Sequence, residues 1–204
     1  AGRMEQALAI AATRAAGLQA VFGSMGKPLN AGTAAAAGIE AADLAAAGFT
    51  CPPAALDGPQ GFGPAHGGAA RPEALLSLDA RWEMARVSHK LHACCHGLHA
   101  MLEALAGLDL PASEIDRVTV RTHPRWLAVC NDPAPTTGLE AKFSYRMTAA
   151  MALAGRDTGD PATFSAAACA EPALVRLRER IDVVGDRALP ETAAQVDVTA
   201  RGGA

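Results

Sequence analysis

Aromatic side chains are scarce: they make up 4% of the 204 residues. Any core must therefore be built mainly from Ala, Leu and Val, and Ala-rich helices suit this because Ala is the best helix former and lets helices approach closely. Lys/Arg-rich runs are absent, the formal net charge is −3, and the two Trp and one Tyr do not interleave with basic residues. This argues against nucleic-acid binding, which needs a basic footprint. No apolar run reaches the length of a membrane span, because Gly, Pro or charge cuts each one. The opening residues show no basic head, apolar stretch and cleavage site of a signal peptide. The five Cys (Cys51, Cys94, Cys95, Cys130, Cys169) are odd in number and form no CxxC pair. A reduced, cytoplasmic protein is expected.

Half of the residues are hydrophobic and 19% are charged, the balance of a globular chain. The length allows one full core or two modest ones. Ala1-Gly2-Arg3-Met4-Glu5 runs straight into a helical pattern, and the chain reads as a piece of something longer.

The periodicity predicts a helix over residues 4–22, a glycine-rich turn over 23–32, and an Ala-rich helix over about 33–47 that stops at Gly48. A long irregular segment, 50–72, carries five Pro (Pro52, Pro53, Pro59, Pro64, Pro72), and loops of that length are usually functional or linkers. A short helical stretch follows at 73–80. Strand-like alternation starts at 117–122 and recurs at 181–184 and 195–199, with helical patterns at about 95–107, 139–154 and 161–179. The change from all-helical to mixed falls near 84–90.

Three segments could carry chemistry. In Gly26-Lys27, closely spaced glycines expose backbone N–H groups beside a following helix N-terminus, so Lys27 could hold a carboxylate or phosphate. Pro28 follows the lysine where a nucleotide P-loop has Ser or Thr, and the competing reading is a plain helix-to-helix turn. Ser88 to His99 packs four His, two Cys and Lys90 into twelve residues. His96 and His99 stand three apart at the start of a helix, where both rings could face one way. A helix N-terminus would lower a His pKa and a Cys pKa, which suits proton transfer. Metal binding competes, since His92, His96 and His99 have ligand-like spacing and Cys94 or Cys95 could join. Against it, HExxH is absent and no acid lies close by, Glu103 being the first after the cluster. Capping His with core-filling Cys is the third reading. The last segment, Gly138 to Arg146, opens a helix; alone it reads as an amphipathic start with Glu140 at the favourable end.

Taken in succession, Phe22 to Gly32, Ala34 to Gly38, Ala46 to Thr50, Leu56 to Phe62, Lys90 to His99 and Gly138 to Ser144 resemble the MmgE/PrpD family. That family includes 2-methylcitrate dehydratase, cis-aconitate decarboxylase and iminodisuccinate epimerase. The resemblance implies a large helical domain and a smaller α+β lid, with the active site between them. It implies that residues 1–87 are the later part of the helical domain, that 88–204 are the lid, and that the family's N-terminal Asp and His lie outside this chain. Lys27 matches the lysine of the family's Gly/Lys turn and Lys90 the one opening its His-rich motif, so the resemblance places both at the cleft. His96, His99 and Cys95 fall in the catalytic neighbourhood, and in decarboxylase-like members a His stands where this chain has Cys95. Asn30 stands where many relatives have His, Ala93 replaces a common Pro, and a Tyr often found on the Gly138 helix aligns with Met147. These departures point away from the decarboxylase.

The expected fold class is therefore α+β, the C-terminal part of an all-helical domain followed by a smaller α+β lid. The expected activity is a lyase of the 2-methylcitrate dehydratase type, working by proton abstraction next to a carboxylate. An epimerase or isomerase of an imino- or amino-dicarboxylate is the alternative, and a non-catalytic or metal-binding scaffold is the alternative of another class. Lys27, Lys90, Cys95, His96 and His99 are the expected catalytic residues, and Gly26, Asn30 and Lys142 the expected substrate-binding ones. No metal or other cofactor is expected. The expected partner is a small polycarboxylate, with neither nucleic acid nor membrane, and a homodimer is expected of the full-length form. This stretch alone is expected to bind polycarboxylates without turning them over.

Overall fold

A computed structural model describes residues 2–68, 73, 76, 80 and 82–202. The short helical stretch expected at 73–80 lies mostly outside them. Two compact units form, Ala1–Val21 with Gly26–Ser88, and Phe22–Met25 with His89–Ala204. The architecture is α+β: the described strands all belong to one three-stranded sheet, in the second unit, and the described elements of the first unit are helices.

In the first unit, α1 spans Gly2–Thr13 and α2 spans Gly26–Ala46. The helix expected over 4–22 thus ends nine residues early. Thr13 Oγ1 turns back to donate to the Ile10 carbonyl at 2.7 Å, and Gly17 takes a φ of 138° that helical backbone does not allow. α2 starts seven residues before the expected position, so Gly26, Lys27 and Pro28 form its first turn rather than a loop. Its stop is the one predicted. Gly48 adopts φ 89°, its N–H reaches the Ala45 carbonyl at 3.2 Å, and the Phe49 N–H reaches Leu44 at 2.9 Å. That pair of bonds is the Schellman arrangement, which satisfies carbonyls a helix end leaves open. The two helices meet where Ile10 of α1 packs on the small Ala41 and Ala45 of α2. The long segment after them folds back on itself through a short helix α3, Phe62–Ala65. Gly58 and Gly61 are required there, since a Cβ at either would stand 2.6 or 2.8 Å from the Ala54 carbonyl oxygen.

In the second unit, α4 (His99–Leu105), β1 (Ile115–Thr122), α5 (Pro124–Cys130), α6 (Gly138–Ala141), α7 (Tyr145–Leu153), α8 (Ala166–Ala170), α9 (Pro172–Arg178), β2 (Ile181–Gly185) and β3 (Ala194–Ala200) follow in order. β1 is the central strand, parallel to β2 and antiparallel to β3, with Val118 opposite both Ile181 and Val198. The parallel pair needs a long crossover, and α5 to α9 supply it. A register shift between Ile115 and Arg117 lets Ile115 and Val118, three apart, both face the core. Onto that face pack Leu98, Met101 and Leu102, then Met147 and Met151 of α7 and Leu174 of α9.

Two expected single helices are broken. The 139–154 helix splits because Ser144 caps α7, its Oγ accepting from the Met147 N–H at 3.2 Å and donating to the Asp132 carbonyl at 2.6 Å. The 161–179 helix splits where Ser165 caps α8 and again at Pro172, which begins α9 and keeps Glu171 extended.

Candidate functional site

The His-rich motif is tied into the second unit by several hydrogen bonds. It reaches α4 through three fixed points. The Ala93 N–H donates to the Thr158 carbonyl at 2.8 Å, and the Cys95 N–H to the Lys142 carbonyl at 2.9 Å. The buried Tyr145 hydroxyl donates to the Gly97 carbonyl at 2.7 Å and lies 2.9 Å from the Thr122 Oγ1. Gly97 itself must be glycine, because a Cβ would sit 2.5 Å from the Trp126 ring. His96 to Leu98 form one tight turn before α4 begins at His99.

This frame brings three imidazoles together. The His96 and His99 rings stack at 5.1 Å and 14°, and the His92 ring meets His99 edge-on at 5.1 Å and 78°. His92 is tied at both nitrogens, Nδ1 2.7 Å from the Thr158 Oγ1 and Nε2 3.3 Å from Glu103 Oε1. Nε2 of His99 is buried and has no hydrogen-bond partner among the described residues. Burial holds the His99 pKa below its ordinary 6.5, and His92, His96 and Lys90 push it the same way; only the His92 backbone carbonyl pulls it up. Burial and neighbouring cations thus do what a helix end was expected to do.

Between the depressed value and 6.5 the unfolded chain binds more protons at this position than the folded one. Folding stability should therefore fall as pH drops from 6.5 towards the depressed value, and His99→Gln should flatten that part of the curve. Urea melts of both proteins across the range test this.

Lys90 Nζ donates to the Cys94 carbonyl at 3.1 Å. Lys142 stands over the Phe164 ring at 5.5 Å, and its charge and that of Lys90 both act on the Cys94 thiol. They do not prevail: burial first, then Cys95, pushes Cys94 up to about 12. The expectation of a lowered Cys pKa fails for Cys94, because the residue is buried, only 5% exposed. Alkylation at mildly alkaline pH should leave Cys94 unlabelled in the folded chain and label it on denaturation, as mass spectrometry of the digested protein would show.

Of the expected site residues, Lys90, Cys95, His96, His99 and Lys142 thus gather in the second unit. Gly26, Lys27 and Asn30 stand in the first unit, on the opening residues of α2. Asn30 is engaged there, its Nδ2 donating to the Leu18 carbonyl at 3.2 Å. Two residues that the sequence reading passed over belong with the cluster. Glu103, weighed only as too distant an acid, lies on α4 and reaches His92, eleven positions back, a separation that carries no local spacing signal. Thr158 is 66 positions from His92 and carried no local signal. Among the described residues no group of three His, Cys, Asp or Glu side chains could hold a metal ion. No described helix is long and apolar enough to cross a membrane.

Comparison with known proteins sets this geometry in a family. A search of the curated proteins found no match. The model of the MmgE/PrpD N-terminal domain matches residues 1–75, and that of the MmgE/PrpD C-terminal domain matches residues 92–203, a span that begins at His92 and takes in the histidine cluster, the sheet and the helices behind it. With more than half of its length covered by the second match alone, the chain belongs to the MmgE/PrpD family.

Proposed function

We propose that the chain is the carboxylate-processing part of a lyase of the 2-methylcitrate dehydratase type, acting at a C–H next to a carboxylate of a di- or tricarboxylic acid. The family is one of dehydratases, lyases and isomerases, and the finer assignment rests on the second unit. The observation that carries it is the buried His99 Nε2, without a hydrogen-bond partner among the described residues, in a cluster with Lys90. Removing a proton beside a carboxylate develops negative charge on that carboxylate, and fixed cations stabilise it. A base must meanwhile be neutral to accept the proton. An imidazole whose pKa is held below 6.5 by burial and by Lys90 is neutral at pH 7. Lys90 and Lys142 are the carboxylate-holding cations in this reading, Cys95 and His96 line the same turn, and Lys27 with Gly26 is a further anion-holding group on α2. Asn30 spends one Nδ2 hydrogen on Leu18 and keeps the other, with its Oδ1, for a ligand.

The test is a calorimetric titration of the chain with 2-methylcitrate and citrate, at low and high salt, beside Lys27→Ala and Lys90→Ala. Binding that weakens with salt and with either substitution supports the reading. Affinity unchanged in both variants would remove the lysines from the site. Binding of an iminodicarboxylate with no binding of 2-methylcitrate would move the assignment to the epimerases.

A further inference from the structure

We propose that the second unit holds a site for a phosphate-bearing small molecule, in an arginine-lined cavity beside α9 that shares no residue with the histidine cluster. The cavity has a volume of about 350 Å³, within the range that small ligands fill. Four segments border it: the turn before β1, the end of α7, α9 with the residues just beyond it, and the residue that follows β3. Ala112, Ala154 and Ala173 line it and leave the space open by being small.

The charge of the lining is one-sided. Arg176, Arg180 and Arg201 bring three guanidiniums and Ser113 a hydroxyl, and the described lining contains no carboxylate. Glu114 and Glu179 adjoin Ser113 and Arg180 in the chain, yet neither lines the cavity. Other arginines of this unit are matched with acids: Arg117 with Asp182, Arg121 with Asp197, Arg125 with Glu191 and Arg156 with Glu171. Among the described residues Arg176 and Arg201 are in no such pair. A cation in the last turn of α9 complements the helix dipole, which accounts for Arg176 but not for the convergence of three. Like charges gathered in one cavity repel, and an anion between them reverses the sign of that interaction.

Two of the three arginines are fixed by the fold. One N–H of Arg180 donates to the Ile115 carbonyl at 2.9 Å, which leaves four of its five donors for a ligand. The Arg201 backbone N–H donates to the Glu114 carbonyl at 2.7 Å and so ties the base of that side chain to the turn before β1. Arg176 and Arg180 stand four apart, the spacing of one helical face. Guanidinium forks match phosphate oxygens two at a time, and three of them suit the charge of a diphosphate better than that of a single carboxylate. A ligand held there would bridge the four segments, so binding should also stabilise the folded unit.

The test is calorimetric titration of the 204-residue chain with inorganic pyrophosphate and, separately, inorganic phosphate, at low salt. The expected result is one pyrophosphate site, weakened at least about tenfold by Arg176→Gln combined with Arg201→Gln, since charge-assisted hydrogen bonds are lost. Arg3→Gln combined with Arg187→Gln removes the same charge at exposed positions outside the cavity and should change little, as should Lys90→Ala. Phosphate should bind at the same place more weakly. Amide NMR of the wild type should show pyrophosphate shifting Ser113, Ala154, Arg176 and Arg201. No pyrophosphate binding by the wild type overturns the proposal, and so does equal weakening in the two double variants, which would mean diffuse attraction. Shifts confined to residues 90–99, or binding lost in Lys90→Ala, would put the anion at the histidine cluster and overturn it even if the cavity variant fails to fold. Failure of citrate to respond to Lys90→Ala would sink the carboxylate reading alone, so the two failures are separable.

Discussion

Lys90→Ala is expected to weaken citrate binding roughly ten- to hundredfold at low salt. A hydrogen bond between charged partners is worth about 1.5–3 kcal/mol, and about 1.4 kcal/mol is a factor of ten. The lysine head is already directed by its 3.1 Å bond to the Cys94 carbonyl, so little further ordering opposes the contact. Two of its three donors remain for a ligand. The effect should shrink as salt rises, because Lys90 is exposed and screening reaches it. Loss of binding that persists undiminished in high salt would point to collapse of the 90–95 turn instead of loss of a charge. Circular dichroism of the variant, unchanged from wild type, accompanies the expected result.

Gly138→Ala is expected to be the most damaging single methyl addition in the second unit. The new Cβ would lie 2.1 Å from the Phe164 carbonyl oxygen and 3.1 Å from the Ser165 Cα. Both are backbone atoms at the cap of α8, so no side chain can swing aside. Overpacking typically costs about 1–3 kcal/mol, and this contact belongs at or beyond the top of that range. The position matters for the site as well, since Gly138 opens the helix whose end supplies Lys142 and, through its carbonyl, the bond to the Cys95 N–H. Denaturant melts should show the loss, and Ala in place of the open Gly107, with nothing within 4 Å of its Cβ, is the control that should change little.

The parts of this fold that were legible in the sequence are those with a short-range cause. Val118 and Val120, and Val196 and Val198, announce strands by alternation, and Gly48 stops a helix because it can turn left-handed. Ser144, Ser165 and Pro172 are equally visible, but helical periodicity on both sides masks their role as caps and breaks. The start of α2 was misplaced because Gly26 and Pro28 look like loop residues, although Pro is well accommodated in a first turn. In the site, the His cluster and Lys90 showed themselves by sheer density. The hold on His92 did not, because Thr158 arrives from 66 positions away through the α7–α8 connection. Nor did the direction of the Cys94 shift, which depends on how deeply that thiol is packed and not on its neighbours in the chain.

The central claim is that His99 sits where a polycarboxylate binds, as a base kept neutral until a proton is delivered. An NMR titration of the His99 ring against pH, without and with saturating citrate, tests it most directly. The expected result is a free pKa below the ordinary 6.5 that rises on adding citrate, since nearby negative charge favours imidazolium, with the rise diminished in Lys90→Ala. A His99 titration that does not move while citrate binds would place the anion elsewhere and contradict the account.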